Sequence, residues 1–158
     1  MKRHFQSFVV IALLSTTACS GPHIPVAAIS AAPGDLAKVD LDKLQGTWRM
    51  ESSVWNGVPE RGVALSLTLV FHGDELTWVD KDGIPHQEDT IKLMPDQSPK
   101  AIDNWSKGRG QARPGIYSLE GDTFQWCSAG ADNKVRPTSF ASKPGSRQSL
   151  MLLRRQKN

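Results

Sequence analysis

Cysteine is scarce in this sequence, which contains only Cys19 and Cys127. If Cys19 is modified, Cys127 has no partner within the chain for a disulfide. Nothing close to Cys127 in sequence is expected to lower its pKa, as a reactive thiol requires. We therefore expect Cys127 to be a buried small hydrophobic residue.

The chain also lacks a strong excess of charge. Its formal net charge is +3, from 19 basic and 16 acidic residues. Lys2 and Arg3 lie in a segment that we expect to be removed, which leaves 17 basic residues against 16 acidic ones. A nucleic-acid-binding surface needs clustered basic residues, so this composition excludes nucleic acid as a partner.

Signs of catalysis and of metal binding are missing as well. No Gly-x-Ser-x-Gly motif occurs, which is the nucleophile motif of many hydrolases. The densest group of metal-binding residue types lacks the length and the terminal Glu of an EF-hand loop; it consists of Asp80, Asp82, His86, Glu88 and Asp89. The basic residues Lys107, Arg109 and Arg113 lie near Trp105 and are more typical of a solvated loop than of a site for an anionic ligand. We expect a protein that is not an enzyme and has no metal or cofactor.

No apolar run is long enough to span a bilayer, which takes about 20 residues. The first residues are instead basic, Phe5–Leu14 is mostly apolar, and small residues precede Cys19. This order predicts a secretory signal peptide over residues 1–18. Thr16–Cys19 resembles the lipobox of bacterial lipoproteins, which implies lipid attachment to Cys19. The alternative is ordinary cleavage near Ala18, with Cys19 incidental.

Residues 19–40 are rich in Ala, Pro, Gly and Ser and predict a flexible, lipid-anchored tether. In lipoproteins an Asp directly after the Cys favours the inner membrane. Ser20 therefore favours the outer membrane, and we expect an exported envelope protein that faces the periplasm. We expect the protein to bind the membrane through its N-terminal lipid. Stable anchoring needs more than one acyl chain.

From Leu41 the pattern changes to alternating apolar and polar residues, after one helical turn at 42–45. Alternation is typical of half-buried strands, and Asn56–Gly57 is a strong hairpin turn. Close turns predict about eight strands and no long helix, which is typical of an all-β barrel or sandwich. Short sequential hairpins favour a single antiparallel up-and-down barrel over residues 41–158, since closure removes exposed edges. The expected strands are 48–54, 65–71, 76–79, 86–93, 101–103, 115–119, 123–128, 138–141 and 148–155.

Residues 44–157 resemble an uncharacterised, planctomycete-type family of lipocalin-like domains. The matching segments are Leu44–Trp48, Asn56–Gly57, Pro99–Asp103, Gly115–Tyr117, Gly121–Thr123, Cys127, Arg136–Thr138, Phe140 and Ser142–Ser146. The resemblance implies a barrel in which an Arg of the last strand lies across the ring of Trp48. It favours Arg155 over Arg154 for this contact, but implies no activity, because a fold does not specify a function.

Four aromatic residues stand at positions able to face the barrel interior, namely Trp48, Trp78, Phe124 and Trp126. We expect them to line a pocket for a small apolar or amphipathic ligand, which makes the protein an envelope binding module. The alternative is a structural or protein-interaction lipoprotein whose packed barrel holds no ligand.

Overall fold

The computed structural model describes residues 32–108 and 110–157. Cys19 and the predicted signal peptide lie outside this part of the chain. Within it, no helix has the length and apolar character needed to cross a membrane. In chain order the elements are helix α1 (Pro33–Leu44), β1 (Gly46–Trp55), β2 (Val58–Pro59), a 3-10 helix (Gly62–Ser66), β3 (Thr68–His72), β4 (Glu75–Val79), β5 (Pro85–Met94), β6 (Ala101–Ser106), β7 (Ala112–Glu120), β8 (Thr123–Ala129) and β9 (Gln148–Arg155).

The strands form a closed antiparallel barrel. From β3 to β9 each strand pairs with the next, β1 pairs with β3, and β1 also pairs with β9. Eight strands therefore make the barrel, while β2 only extends a hairpin with β1. The prediction of an all-β barrel of about eight antiparallel strands is confirmed.

One predicted strand begins too early, and another is not a strand. Residues 65 and 66 belong to the 3-10 helix, so the strand expected at 65–71 begins at Thr68. Residues 138–141 form a loop rather than a strand. Thr138 and Ser139 are exposed, so this segment lacks the buried face that alternation predicts for a strand.

Helix α1 begins at Pro33, inside the segment for which a flexible tether was expected up to residue 40. The expectation of a tether is wrong for residues 33–40. The single helical turn expected at 42–45 corresponds to the end of a 12-residue helix. Asp35 in the first turn and Lys43 in the last complement the helix dipole. The helix is held mainly by tertiary contacts, since Leu44 is fully buried in the barrel core and Asp40 is buried beside it.

Aromatic rings fill the half of the barrel next to α1. Phe124 is at the centre of this packing, with its ring centroid 5.8 Å from that of Trp48, 5.9 Å from that of Phe71 and 6.3 Å from that of Tyr117. The indole Nε1 of Trp48 donates to the carbonyl oxygen of Leu44 at 2.7 Å. Such close packing leaves this half of the interior solid.

The long loop between β8 and β9 covers part of the outer wall. Its Arg136 donates to the backbone oxygens of Ile102 and Gly115 and to the carboxylate of Asp103. Beneath the loop the Cys127 thiol is fully buried, as predicted, and contacts the carbonyl oxygen of Ala141 at 3.7 Å. Burial raises the pKa of Cys127, which disfavours the reactive thiolate.

Candidate functional site

A pocket of about 320 Å³ lies at the end of the barrel opposite α1. The helix leads into the first residues of β1, whereas the pocket is bordered by Trp55, the last residue of that strand. We call it the open-end pocket. Its lining residues are Trp55, Glu60, Trp78, Asn104, Arg113, Trp126, Ser128, Ala129, Gly130, Ala131, Ser149 and Met151. Strands supply most of these side chains, so the walls are rigid.

A buried carboxylate organises one wall of the pocket. Asp89 is 2% exposed and accepts hydrogen bonds from Gln87 Nε2 at 2.7 Å and 2.9 Å, and from Trp78 Nε1 at 3.2 Å. Asn104 Nδ2 donates to it at 2.9 Å, and Arg113 Nη2 lies 3.4 Å away. A buried charge needs such compensation. We call these five residues the Asp89 cluster; it orients side chains from β4, β5, β6 and β7.

The cluster leaves one acceptor of Asn104 without a partner. Asn104 is 2% exposed, and its Oδ1 atom forms no hydrogen bond in the described part of the chain. Exchanging the two amide atoms would turn the oxygen towards the carboxylate of Asp89, which is repulsive. The amide is therefore held with Nδ2 on Asp89, and Oδ1 is buried without a partner among the described residues.

Trp126 has an unpartnered donor in the same pocket wall. The residue is 1% exposed, and its indole Nε1 has no acceptor among the described residues. The ring lies against Gly115, where a Cβ atom would come within 2.8 Å of Nε1 and of the backbone oxygen of Cys127. Glycine at 115 thus lets the indole take this position. Buried polar groups are rarely left unsatisfied in native proteins, so each such case needs an explanation.

Two charged side chains border the pocket, Arg113 and Glu60. Arg113 also donates to Ser106 Oγ at 2.7 Å, so its Nη2 is held between Ser106 and Asp89. Glu60 accepts a hydrogen bond from Ser53 Oγ, and within residues 32–108 and 110–157 no ion pair involves Glu60. The pocket therefore carries one paired cation and one unpaired carboxylate.

Two of the four aromatic residues expected to line a pocket do so. Trp78 and Trp126 border the open-end pocket, with ring centroids 6.2 Å apart. Trp48 and Phe124 do not border it, because both are fully buried in the packed half of the barrel. For these two residues the expectation is corrected: they fill the core. The pocket is also more polar than the apolar one expected.

The sequence did not indicate Trp55, Asn104 or the cluster role of Asp89 and Arg113. It suggests Asp89 only as a possible metal ligand and Arg113 only as part of a basic loop. One sequence signal does point to the polar cluster. Positions 87 and 89 continue the inward-facing register of Ile91 and Leu93, so polar residues replace apolar ones towards one end of β5.

The other barrel end carries the contact that the lipocalin-like resemblance implies. The guanidinium carbon of Arg155 lies 4.2 Å from the ring centroid of Trp48. Arg155 also donates to the backbone oxygens of Gln45 and Lys43. Arg154 instead points to Glu51 on the outer surface. These contacts join β9 to the end of α1 and close this end of the barrel.

The acidic residues near His86 serve the β4–β5 turn. Asp80 accepts hydrogen bonds from the backbone N–H groups of Ile84 and Asp82, and its Oδ2 lies 2.9 Å from His86 Nε2. The backbone hydrogen bond from Ile84, followed by the contact with His86, lowers the pKa of Asp80. In the described part of the chain, no group of three or more His, Cys, Asp or Glu side chains is arranged to hold a metal ion.

No protein-family model, no curated protein and no solved structure matches this chain.

Proposed function

We propose that this protein is a binding module that holds a small amphipathic ligand in the open-end pocket. The observation that carries the proposal is a pocket of about 320 Å³ that is bordered by three tryptophans, Trp55, Trp78 and Trp126, and by polar side chains that include Asn104, Arg113 and Glu60. The volume is within the range of small-molecule sites, and such sites combine aromatic walls with a few placed polar groups.

A purely structural barrel does not need the Asp89 cluster. Replacing a buried ion pair by well-packed apolar residues is often neutral or stabilising, and the half of the barrel next to α1 is packed in that way. The open end instead keeps a fully buried carboxylate and its donors. This contrast between the two halves favours ligand binding over a packed barrel.

For the location we propose anchoring through acylated Cys19. The support is the sequence alone: a basic start, a short apolar segment and small residues before Cys19. A lipid at that residue would hold the barrel at the outer membrane, facing the periplasm. Ligand binding and anchoring are independent proposals, because the pocket lies within the barrel and Cys19 lies outside the described residues.

The binding proposal is tested by titrating the purified full-length chain with small molecules of different chemistry and following tryptophan emission. Three of the five tryptophans border the pocket, so a bound ligand changes their environment. We expect saturable binding of about one ligand per chain. Trp105 does not border the pocket, and Trp105→Phe is the matched control that keeps the affinity. If a chemically diverse library gives neither saturable emission changes nor thermal stabilisation, the protein is a packed structural barrel.

A further inference from the structure

We infer that the open-end pocket selects a small amphipathic cation, whose ammonium group pairs with Glu60 and whose apolar body packs against Trp55. This inference rests on the proposed binding function and specifies its ligand class. It follows from the position of Glu60, from the balance of charge at the pocket, and from the accessible tryptophan at its rim.

A bulge in β1 turns the end of this strand towards the pocket. The pairing register between β1 and β9 shifts just after Met50, so one extra residue enters β1. Beyond the bulge, Ser53 pairs with Met151. Trp55 pairs with Ser149, and both β9 residues line the pocket. Because paired residues of antiparallel strands lie on the same face of a sheet, Ser53 and Trp55 face the pocket as well. Bulges often redirect side chains next to functional sites.

Glu60 stands opposite Ser53 and shares its face. The backbone N–H of Glu60 donates to the oxygen of Ser53 at 2.8 Å, which continues the hairpin one position beyond the pair Val54 and Pro59. The hydroxyl of Ser53, which is 4% exposed, donates to Oε2 of Glu60. A carboxylate has about four acceptor sites, so this one hydroxyl leaves capacity for the N–H groups of a ligand. Glu60 is half-buried and borders the pocket, so a bound ligand can reach it.

The balance of charge at the pocket favours a cation. Nη2 of Arg113 lies 3.4 Å from the buried carboxylate of Asp89, so this cation is compensated. Glu60 has no ion-pair partner among the described residues and is left uncompensated. A cationic ligand pairs with Glu60, and this attraction is strengthened where the pocket excludes water. An anionic ligand instead competes with Asp89 for Arg113 and is repelled by Glu60.

Trp55 supplies an accessible aromatic surface for the apolar part of the ligand. It is 41% exposed at the rim of the pocket. Its six-membered ring lies against the backbone of Gly130, where a Cβ atom would come within 2.7 Å of Cη2. A side chain at position 130 would therefore displace the ring. Tryptophan faces attract cations and also pack against apolar groups, so Trp55 suits a ligand that combines the two.

The size of the pocket limits the ligand to a short body. A volume of about 320 Å³ is at the lower end for small-molecule sites. Trp126 packs on Phe124 with ring centroids 6.1 Å apart, and both belong to the core cluster. A long alkyl chain would have to displace these rings, which a closely packed interior resists. One aromatic ring or a short alkyl chain with a single ammonium group needs no such displacement.

The test uses the unaltered full-length chain and four probes that share a phenyl body and differ in the head group: 2-phenylethylamine, its trimethylammonium analogue, 2-phenylethanol and 3-phenylpropanoate. Tryptophan emission and calorimetry measure binding. We expect the amine to bind about tenfold or more tightly than the alcohol, because it makes charged hydrogen bonds to a carboxylate. The trimethylammonium analogue has no N–H group and should bind more weakly than the amine, and 3-phenylpropanoate should not bind. Added salt should weaken binding of the amine.

Glu60→Gln keeps the size of the side chain and removes its charge. It should weaken binding of the amine about tenfold or more and change binding of 2-phenylethanol little. Because the alcohol reports on the same pocket, a folding defect would weaken both probes and is thereby recognised. Glu75→Gln is the matched control, since Glu75 is exposed at the α1 end of β4, and it should keep the affinity for the amine. Trp55→Leu should weaken both probes.

The outcomes separate the two proposals. Binding of the alcohol or of 3-phenylpropanoate as tight as that of the amine overturns the ligand class and leaves the binding function standing. Unchanged affinity of Glu60→Gln for the amine overturns the role of Glu60, and equal affinity for the amine and its trimethylammonium analogue overturns the hydrogen-bonding argument. If none of the four probes binds, the ligand class is wrong, and the titration with a chemically diverse library decides the binding function by itself.

Discussion

The contact between α1 and the barrel interior is expected to control stability in acid. Asp40 of α1 is 4% exposed, and its Oδ2 accepts hydrogen bonds from Tyr117 Oη at 2.8 Å and from Lys100 Nζ at 2.6 Å. Burial by itself raises the pKa of Asp40, but the hydrogen bonds from Lys100 and Tyr117 outweigh it, so the pKa lies below 3.8. Burial and the hydrogen bond to Asp40 both raise the pKa of Tyr117.

The size of the expected stability loss follows from the hydrogen bonds that Asp40→Ala removes. A hydrogen bond to a charged group is worth about 1.5–3 kcal/mol. The bond from Tyr117 is buried and counts fully, whereas Lys100 is 43% exposed and its contribution is reduced by solvent. We expect Asp40→Ala to lower the free energy of unfolding by about 2–4 kcal/mol. Tyr117→Phe is the partner variant. Because both changes remove the same hydrogen bond, the double variant should lose about 1–2 kcal/mol less than the sum of the two single losses.

The pH dependence has a definite sign. A carboxyl whose pKa is lowered by folding stabilises the protein above its unfolded pKa and loses that contribution as pH falls through its folded pKa. The stability difference between the unaltered protein and Asp40→Ala should therefore be constant from about pH 5 to 8. It should narrow below the ordinary Asp value of 3.8. Denaturant unfolding followed by circular dichroism measures both. A difference that stays the same in strong acid, or fully additive single losses, refutes the contact as the cause.

Two further predictions concern the packed end and the N-terminus. Trp48→Ala should lower the free energy of unfolding by about 3–5 kcal/mol, since Trp48 is fully buried. The half-buried Trp105 is the control, and Trp105→Ala should lose less than half as much in the same denaturant titration; equal losses contradict the packing argument. Cys19→Ser should leave the protein unprocessed or released from membranes, as judged by mass and by cell fractionation. Cys127→Ala, which removes the only other cysteine, should keep both the processed mass and the membrane location; a Cys19→Ser protein with normal mass and location rules out acylation.

Local patterns were sufficient to predict the barrel. Residues 48–54, 76–79 and 148–155 carry the alternation and apolar content of strands, and Asn56–Gly57 marks a turn whose Asn56 and Gly57 both have positive φ angles. Helix α1 was not predictable in the same way. Residues 33–40 contain few large apolar side chains, and a short isolated helix is marginal in water. The contacts of Asp40 and Leu44 with the barrel supply the stabilisation that the isolated segment lacks.

The sequence by itself determined the all-β class and a barrel of about eight strands, because alternation and turns act over a few residues. Only the tertiary structure decided which aromatic residues fill the core, which border the pocket, and which polar residues meet there. Asp89 and Ser106 face each other, and so do Asn104 and Arg113, through the registers of β5, β6 and β7. A shift of one residue in either register would turn these side chains to the outer surface. The polar pocket therefore forms only when the barrel brings residues that are distant in sequence together around the buried carboxylate of Asp89.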